Sequence, residues 1–322
     1  MLSIENLTVR FATQDGEVAA VSDVSLKVAK GECLGIVGES GSGKSQTFMA
    51  ALGLLATNGQ ASGRVDFSGT DLIGASEDVL NTIRGNKISM IFQDPMTSLT
   101  PHMKVGRQLA EVLRQHRGLS GEDARTQAIA MLKRVHIPEP ERRLEMYPHE
   151  LSGGLRQRVM IAMALMCGPE LIIADEPTTA LDVTVQAQIL DLLRDVKESM
   201  RTGIVLITHD LGVIAGLADR VAVMYAGRLV ETGTVREIFA DPQHPYTRGL
   251  LACTPRLDDP TYGALPTIPG QPPNLQRLAA GCSFAPRCPF VLDACLLERP
   301  PLRPFAPGRA KACIRDDLER AS

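Results

Sequence analysis

Apolar residues alternate with polar ones, or run together, from Leu2 to Phe11 and from Glu17 to Val28, and Gln14-Asp15-Gly16 separates the two stretches. Patterning of this kind, broken by turn residues, predicts a β-hairpin or meander. Cys33-Leu34-Gly35-Ile36-Val37 is apolar throughout, as a strand buried on both faces is. Gln46 to Leu55 is rich in helix formers and predicts a helix. Gly63 to Phe67 reads as a further strand, and Ile88-Ser89-Met90-Ile91-Phe92 as another that stops at Gln93-Asp94-Pro95. From about Val105 to Leu165 the pattern turns helical, with helices over Val105 to His116 and Asp123 to Val135 and a third opening at Leu151-Ser152-Gly153-Gly154. Strands return at Leu171 to Ala174, Ile204 to Thr208 and Val221 to Tyr225, the last followed by Ala226-Gly227 and Arg228 to Glu231, a hairpin signal. The alternation predicts an α/β core with a largely parallel sheet and a helical stretch inserted between its halves. After about Phe239 prolines recur from Pro242 to Pro307 and long apolar runs are few, which places a boundary near His244. Such a tail cannot bury much of a core for its length, so something else must hold it.

The chemistry begins at Gly38-Glu39-Ser40-Gly41-Ser42-Gly43-Lys44-Ser45, which fits the phosphate-binding pattern G-x-x-x-x-G-K-[ST]. Its setting is the required one, a buried strand before it and a helix after it. Glycines let the backbone wrap a triphosphate and turn its N–H groups inward, and the helix N-terminus adds partial positive charge there. Lys44 would reach the β- and γ-phosphates, and the Ser45 hydroxyl would be a ligand of Mg²⁺.

Composition narrows the setting. With 322 residues, 44% hydrophobic and 22% charged, the chain is long enough for one large domain plus an appendage, with an ordinary soluble core. A net charge of −3 does not suggest a nucleic-acid-binding field over the whole chain. The longest apolar candidate, Met160 to Cys167, falls far short of the ~20 residues of a membrane helix. The first residues, Met1-Leu2-Ser3-Ile4-Glu5-Asn6, lack the basic and apolar regions of a secretory signal, so a cytosolic chain with reduced thiols is expected.

Leu171-Ile172-Ile173-Ala174-Asp175-Glu176 is an apolar strand ending in two carboxylates, delivered to the sheet edge where ligands bind in open α/β folds. Asp175 would hold Mg²⁺ through its water shell, and Glu176 is placed to polarise an attacking water. The competing structural reading is two acids opening a helix. Leu151-Ser152-Gly153-Gly154-Leu155-Arg156-Gln157-Arg158 puts a Ser cap and two glycines at the start of an apolar helix. The glycines cost helix stability, which asks for a reason such as a phosphate approaching the backbone.

These motifs together resemble the nucleotide-binding subunit of an ABC transporter, over roughly Leu2 to Phe239. The signature LSGGQ stands here with Leu155 in fifth place. The resemblance implies an ABC-type nucleotide-binding domain, a RecA-like core with antiparallel β and helical subdomains, over residues 1–243, with the helical subdomain at about 96–165. It implies ATP contacts from residues 38–45 and Gln46, and it matches Gln93 to the glutamine that senses Mg²⁺ and leads into the contact with membrane subunits. His209, in Thr208-His209-Asp210, matches the histidine on the γ-phosphate. Phe11 aligns with the aromatic that stacks on adenine, although it also fits a core position. Ala180-Leu181-Asp182 resembles the segment that links paired sites. Ser152, Gly153 and Gly154 would hold the ATP of a partner subunit, so two subunits pack head to tail with ATP between them.

Four of the seven cysteines, Cys282, Cys288, Cys295 and Cys313, cluster in the Pro-rich tail. Four thiolates suit Zn²⁺ or an iron–sulfur cluster, though the spacing matches neither standard pattern. Unliganded thiols and a zinc module touching nucleic acid, given the arginines around them, are the other readings. His244-Pro245-Tyr246-Thr247-Arg248-Gly249-Leu250-Leu251, followed by Gly281 to Pro289 and Cys295, resembles the C-terminal extension of the dipeptide/oligopeptide-importer ATPases, whose relatives include nickel- and glutathione-type importers. The resemblance implies a [4Fe–4S] cluster on the four cysteines, with Zn²⁺ as the alternative, in an extension over residues 244–322.

The reading that results is a peripheral ATPase subunit on the cytoplasmic face of the inner membrane that powers uptake of short peptides. The expected partners are a second ATPase in a heterodimer, two membrane-spanning permease subunits and an extracytoplasmic peptide-binding protein, with no nucleic acid. A DNA-repair or translation ATPase would need two cassettes or a long coiled-coil insertion, and a non-catalytic regulatory nucleotide-binding module would not need Glu176 and His209.

Overall fold

The computed structural model describes residues 1–179, 181–253 and 267–317. The chain opens with strands β1 (Leu2–Thr13), β2 (Gly16–Val28) and β3 (Cys33–Val37), then helix α1 (Lys44–Ala51) and strands β4 (Gly59–Phe67) and β5 (Thr70–Asp71). Next come α2 (Glu77–Ile83), β6 (Ile88–Ile91), α3 (Pro95–Ser98), α4 (Val105–Arg117), α5 (Gly121–Arg134), α6 (Pro140–Arg143) and α7 (Gly153–Leu165). They are followed by β7 (Leu171–Asp175), α8 (Val183–Met200), β8 (Gly203–Thr208), α9 (Leu211–Leu217), β9 (Arg220–Tyr225) and β10 (Arg228–Thr234). The last elements are α10 (Val235–Ala240), α11 (Pro245–Ala252), α12 (Asp293–Leu297), β11 (Arg303–Ala306) and β12 (Arg309–Lys311). The chain divides into two compact units, one of residues 1–28, 34–74 and 207–322, the other of residues 29–33 and 75–206.

In the first unit β1 pairs antiparallel with both β2 and β4, giving the order β2-β1-β4-β5. Leu2, Ile4, Leu7 and Val9 of β1 are buried with Val21, Val24 and Val28 of β2, the alternation expected of a half-buried strand. The pairing slips between Ile4 and Arg10, where Asn6 and Asp23 take positive φ. Side chains stabilise that irregularity: Ser25 Oγ accepts the Asn6 N–H at 2.8 Å, and Thr8 Oγ1 accepts the Asp23 N–H at 3.1 Å. The same unit holds the strand order β11-β12-β10-β9-β3, with β3 parallel to β9 and the other pairs antiparallel.

The Pro-rich tail is therefore held by more than apolar burial. β12 adds to the sheet through Glu231↔Lys311 and Thr232↔Ala310. Helix α11 starts at Pro245 and is capped by His244, whose Nδ1 accepts the Tyr246 N–H at 3.1 Å. Burial drives the His244 pKa down to about 3, so this imidazole is a neutral acceptor at ordinary pH.

In the second unit the strands run β8-β7-β6, with β6 parallel to β7, and β8 carries the chain back into the first unit. Helices α4, α5 and α7 follow the period expected of residues 105–165. Helix α4 buries Val105, Leu109 and Leu113, ends on Gly118 at φ 65°, and has Arg114, His116 and Arg117 in its last turn, as the helix dipole favours. Gln108 is the polar residue on its buried side. Its Oε1 accepts the Thr100 N–H at 2.9 Å, and its Nε2 donates to Thr100 O at 3.0 Å and Met103 O at 2.8 Å. Among the described residues no helix is long and apolar enough to cross a membrane.

Gln108→Leu keeps the volume but removes the partner of three part-buried backbone groups, so it is expected to lower the unfolding free energy by about 1–3 kcal/mol, measured by denaturant titration. A loss under about 0.5 kcal/mol, the usual size for a surface change, would show that residues 100–103 do not depend on it.

Candidate functional site

In the first unit the phosphate-type loop leaves the fully buried β3 and enters α1. Two of its glycines are dictated by close approach. Gly38 sits at φ 155° and a Cβ there would lie 2.2 Å from Met224 O, while Gly43 sits at φ 95° with its Cβ position 2.3 Å from Ala20 O. The loop is fixed from outside by the β9–β10 turn, where the Gly227 N–H donates to Ser42 O at 3.0 Å. Lys44 is only 6% exposed. Its Nζ donates to Gly38 O at 2.7 Å and Glu39 O at 2.9 Å, so the cation is held across the mouth of its own loop. Among the described residues the buried Ser42 Oγ finds no hydrogen-bond partner, a donor a phosphate oxygen would satisfy. Ser40 and Gly41 are exposed, and Ser45 and Gln46 are half-buried at the start of α1.

Phe11 belongs to β1, is half-buried and lies on Gly59, whose added Cβ would fall 2.6 Å from the ring. His209 is exposed directly after β8, and the next residue, Asp210, caps α9 by accepting the Gly212 N–H at 2.7 Å.

In the second unit β7 delivers Asp175, which is buried, and Glu176, which is half-buried. Glu176 adopts φ 47°, a left-handed conformation that non-glycine residues take at some cost and that clusters at functional sites. Gln93, just past β6, donates from Nε2 to Glu176 Oε2 at 3.0 Å, and Thr179 Oγ1 donates to the same oxygen at 2.8 Å. Sequence reasoning placed Gln93 and Glu176 separately; the structure brings them together, and it adds Thr179. It also adds Gln157, whose Nε2 donates to Pro177 O at 2.6 Å beside the carboxylate strand. Gln157 stands between Arg156 and Arg158 near the start of the helix, so nothing in the sequence singled it out.

Ser152 caps α7, with Oγ accepting the Leu155 N–H at 3.4 Å. The two glycines behind it differ. Gly153 has open space where a Cβ would stand, whereas a Cβ at position 154 would lie 3.0 Å from Val185 Cγ1 of α8. Packing limits what could stand at position 154, whereas nothing in the structure crowds position 153. Of residues 180–182, Ala180 lies outside the described residues, and Asp182 caps α8 by accepting the Val185 N–H at 2.9 Å.

Cys282, Cys288, Cys295 and Cys313 are free of disulfides and line one small apolar cavity of about 10 Å³. The Cys282 N–H donates to Cys295 O at 2.7 Å, drawing two of their segments together. Burial pushes the Cys282, Cys288 and Cys313 thiols up, and neighbouring cysteines add to the effect. Among the described residues no group of three such side chains is arranged to hold a metal ion. The donor set suits a soft metal centre, but the arrangement does not present a single-ion site.

Strand-borne carboxylates, a glycine-lined phosphate loop and a Ser-Gly-Gly helix start define the nucleotide-binding fold of ABC ATPases. The family model "ABC transporter" matches residues 21–179, and "Oligopeptide/dipeptide transporter, C-terminal region" matches residues 230–295. The chain belongs to the oligopeptide/dipeptide branch of the ABC transporter ATP-binding proteins. It is 56% identical over 315 residues to the oligopeptide transport ATP-binding protein OppD of Salmonella typhimurium, covering 98% of this chain and 93% of that one. The Bacillus subtilis OppD is 52% identical, with 94% and 85% covered. A dimeric ATP-binding cassette solved in a post-hydrolysis state with ADP and Pi is similar at TM-score 0.66 and 31% identity, covering 73% of this chain and 99% of that one.

Gly43→Ala would force a Cβ into Ala20 O at a φ that L-residues resist, so the loop must move. Its affinity for Mg-ATP is expected to fall by at least about ten-fold, read by calorimetric titration. Unchanged affinity would mean that this loop does not hold the nucleotide.

Proposed function

We propose that the chain is the ATP-hydrolysing subunit of an ABC importer that takes up di- and oligopeptides. The observation that carries the reading is the 56% identity to an oligopeptide transport ATP-binding protein over 98% of the chain, which includes the C-terminal region as well as the cassette. A nickel or glutathione importer of the same family is the second reading, since the cassette chemistry would be the same. The functional division is taken at residues 1–243 for the cassette and 244–322 for the extension.

In this reading ATP is held by residues 38–46 with Phe11 against the base, and Mg²⁺ by Ser45, Gln93 and Asp175. Lys44 exchanges its two carbonyl partners for phosphate oxygens, which bind it more strongly because they are charged. Glu176 takes the proton of the attacking water, and His209 contacts the γ-phosphate. Ser152, Gly153 and Gly154 complete the ATP site of a partner subunit. ATP thereby favours the closed pair of cassettes, and hydrolysis removes that preference. The partners are a second ATPase, two permease subunits and an extracytoplasmic peptide-binding protein, and the chain works at the cytoplasmic face of the inner membrane.

We assign a [4Fe–4S] cluster to Cys282, Cys288, Cys295 and Cys313 in preference to Zn²⁺. One zinc ion needs four sulfurs packed tightly at about 2.3 Å from it, whereas a cluster spreads its four thiolates over several irons. When bound, it would supply cross-links that stabilise the tail.

Glu176→Gln leaves an oxygen to accept from Gln93 and Thr179 but removes the base. Phosphate release is expected to slow by at least about 100-fold, with an ATP-bound pair of cassettes accumulating on gel filtration. Hydrolysis at the normal rate would remove Glu176 from the mechanism. For the cysteines, anaerobically purified protein is expected to contain about four irons and four acid-labile sulfides per chain, with a visible absorption band; stoichiometric zinc without iron would replace the cluster by the ion.

A further inference from the structure

Glu39 is an acidic side chain inside a loop shaped for a triphosphate, and two residues of the C-terminal extension are fastened to it. The Glu39 N–H donates to Tyr246 Oη at 2.8 Å. Arg287 grips the carboxylate with both arms, Nη1 to Oε2 at 2.8 Å and Nη2 to Oε1 at 3.0 Å. The pair is largely withdrawn from water, with the Arg287 side chain 6% and that of Glu39 21% exposed. The guanidinium is itself immobilised, since Nε donates to Pro269 O at 2.8 Å and Nη2 to Ile268 O at 3.3 Å. Its carbon stands 6.0 Å from the ring centres of Tyr225 and Phe284, which pack with Tyr246 at centroid distances of 4.5, 5.2 and 5.4 Å. The carbonyl of the same Glu39 accepts Lys44 Nζ. One residue thus joins the phosphate-binding lysine to an arginine 248 positions away.

A carboxylate in this loop opposes the arrival of a triphosphate, because like charges at short range repel strongly away from bulk water. A bidentate guanidinium cancels that charge and fixes the oxygens in a plane, which a lysine would not do. We propose that Arg287 is a positioning residue of the ATP site: by neutralising Glu39 it makes the affinity for ATP depend on the C-terminal extension. The proposal rests on the reading of residues 38–46 as the ATP loop. Hydrogen bonding to Glu39 holds the Arg287 guanidinium firmly charged, in keeping with that role.

The test titrates the purified full chain with Mg-ATP in four forms: wild type, R287Q, E39Q and the double variant. R287Q is expected to weaken binding about ten-fold, by a factor that shrinks as salt screens the exposed charge. E39Q is expected to bind about two- to three-fold tighter than wild type, and the double variant to recover wild-type affinity within about two-fold. Wild-type affinity in R287Q overturns the proposal. So does a double variant as weak as R287Q, because it would make Arg287 merely a structural prop. Should R287Q fail to fold, E39Q decides alone, and weaker binding by E39Q overturns the proposal. A wild-type chain that binds no ATP would instead strike the reading of the loop, which keeps the two failures apart.

Discussion

The placement of one ammonium group governs the first unit. Lys44 is nearly excluded from water and must keep charged or dipolar partners, because an uncompensated buried charge is costly. Two loop carbonyls serve as those partners. They are neutral, so a charged phosphate oxygen would bind the ammonium more strongly than they do. Close contacts with Met224 and Ala20 at the glycine positions keep the loop in this shape. The glycines thus act through space denied to any other residue as much as through flexibility.

The second unit answers with a different device. Glu176 is held in an unfavourable backbone conformation and its Oε2 is tied down by Gln93 and Thr179. Holding a carboxylate this way costs local stability, and neighbouring contacts such as Gln157 with Pro177 must support it.

Much of this was legible because the decisive signals are local. A turn of three residues between two alternating runs fixed β1 and β2, and an apolar pentad before a glycine loop fixed β3 and α1. Ser152 announced the start of α7 by its capping chemistry. The Val185 side chain beside position 154 was not legible, because it lies in another helix and leaves no mark near that position. The tail was the least legible part. β11 and β12 are four and three residues long, too short for a period to show, and they form only because β10 offers an edge. Convergence of the four cysteines on one cavity was readable from their clustering; how far apart their sulfurs stand was not.

The extension also changes what counts as the nucleotide-binding module. A Pro-rich segment without a core of its own would be expected to hang from the cassette by a linker. Here Phe284 and Tyr246 of the extension pack on Tyr225 of β9, and β9 is the strand paired with β3, the one that launches the phosphate loop. Aromatic surface buried on one side of that strand stabilises the whole first unit, since each ring removes a large apolar area from water. The same packing supports the backbone of Met224 and Tyr225, and Met224 O is the atom that any Cβ at position 38 would meet, at 2.2 Å. Loop shape and tail attachment therefore share one strand, so the tail cannot loosen without disturbing the surface against which the phosphate loop is moulded.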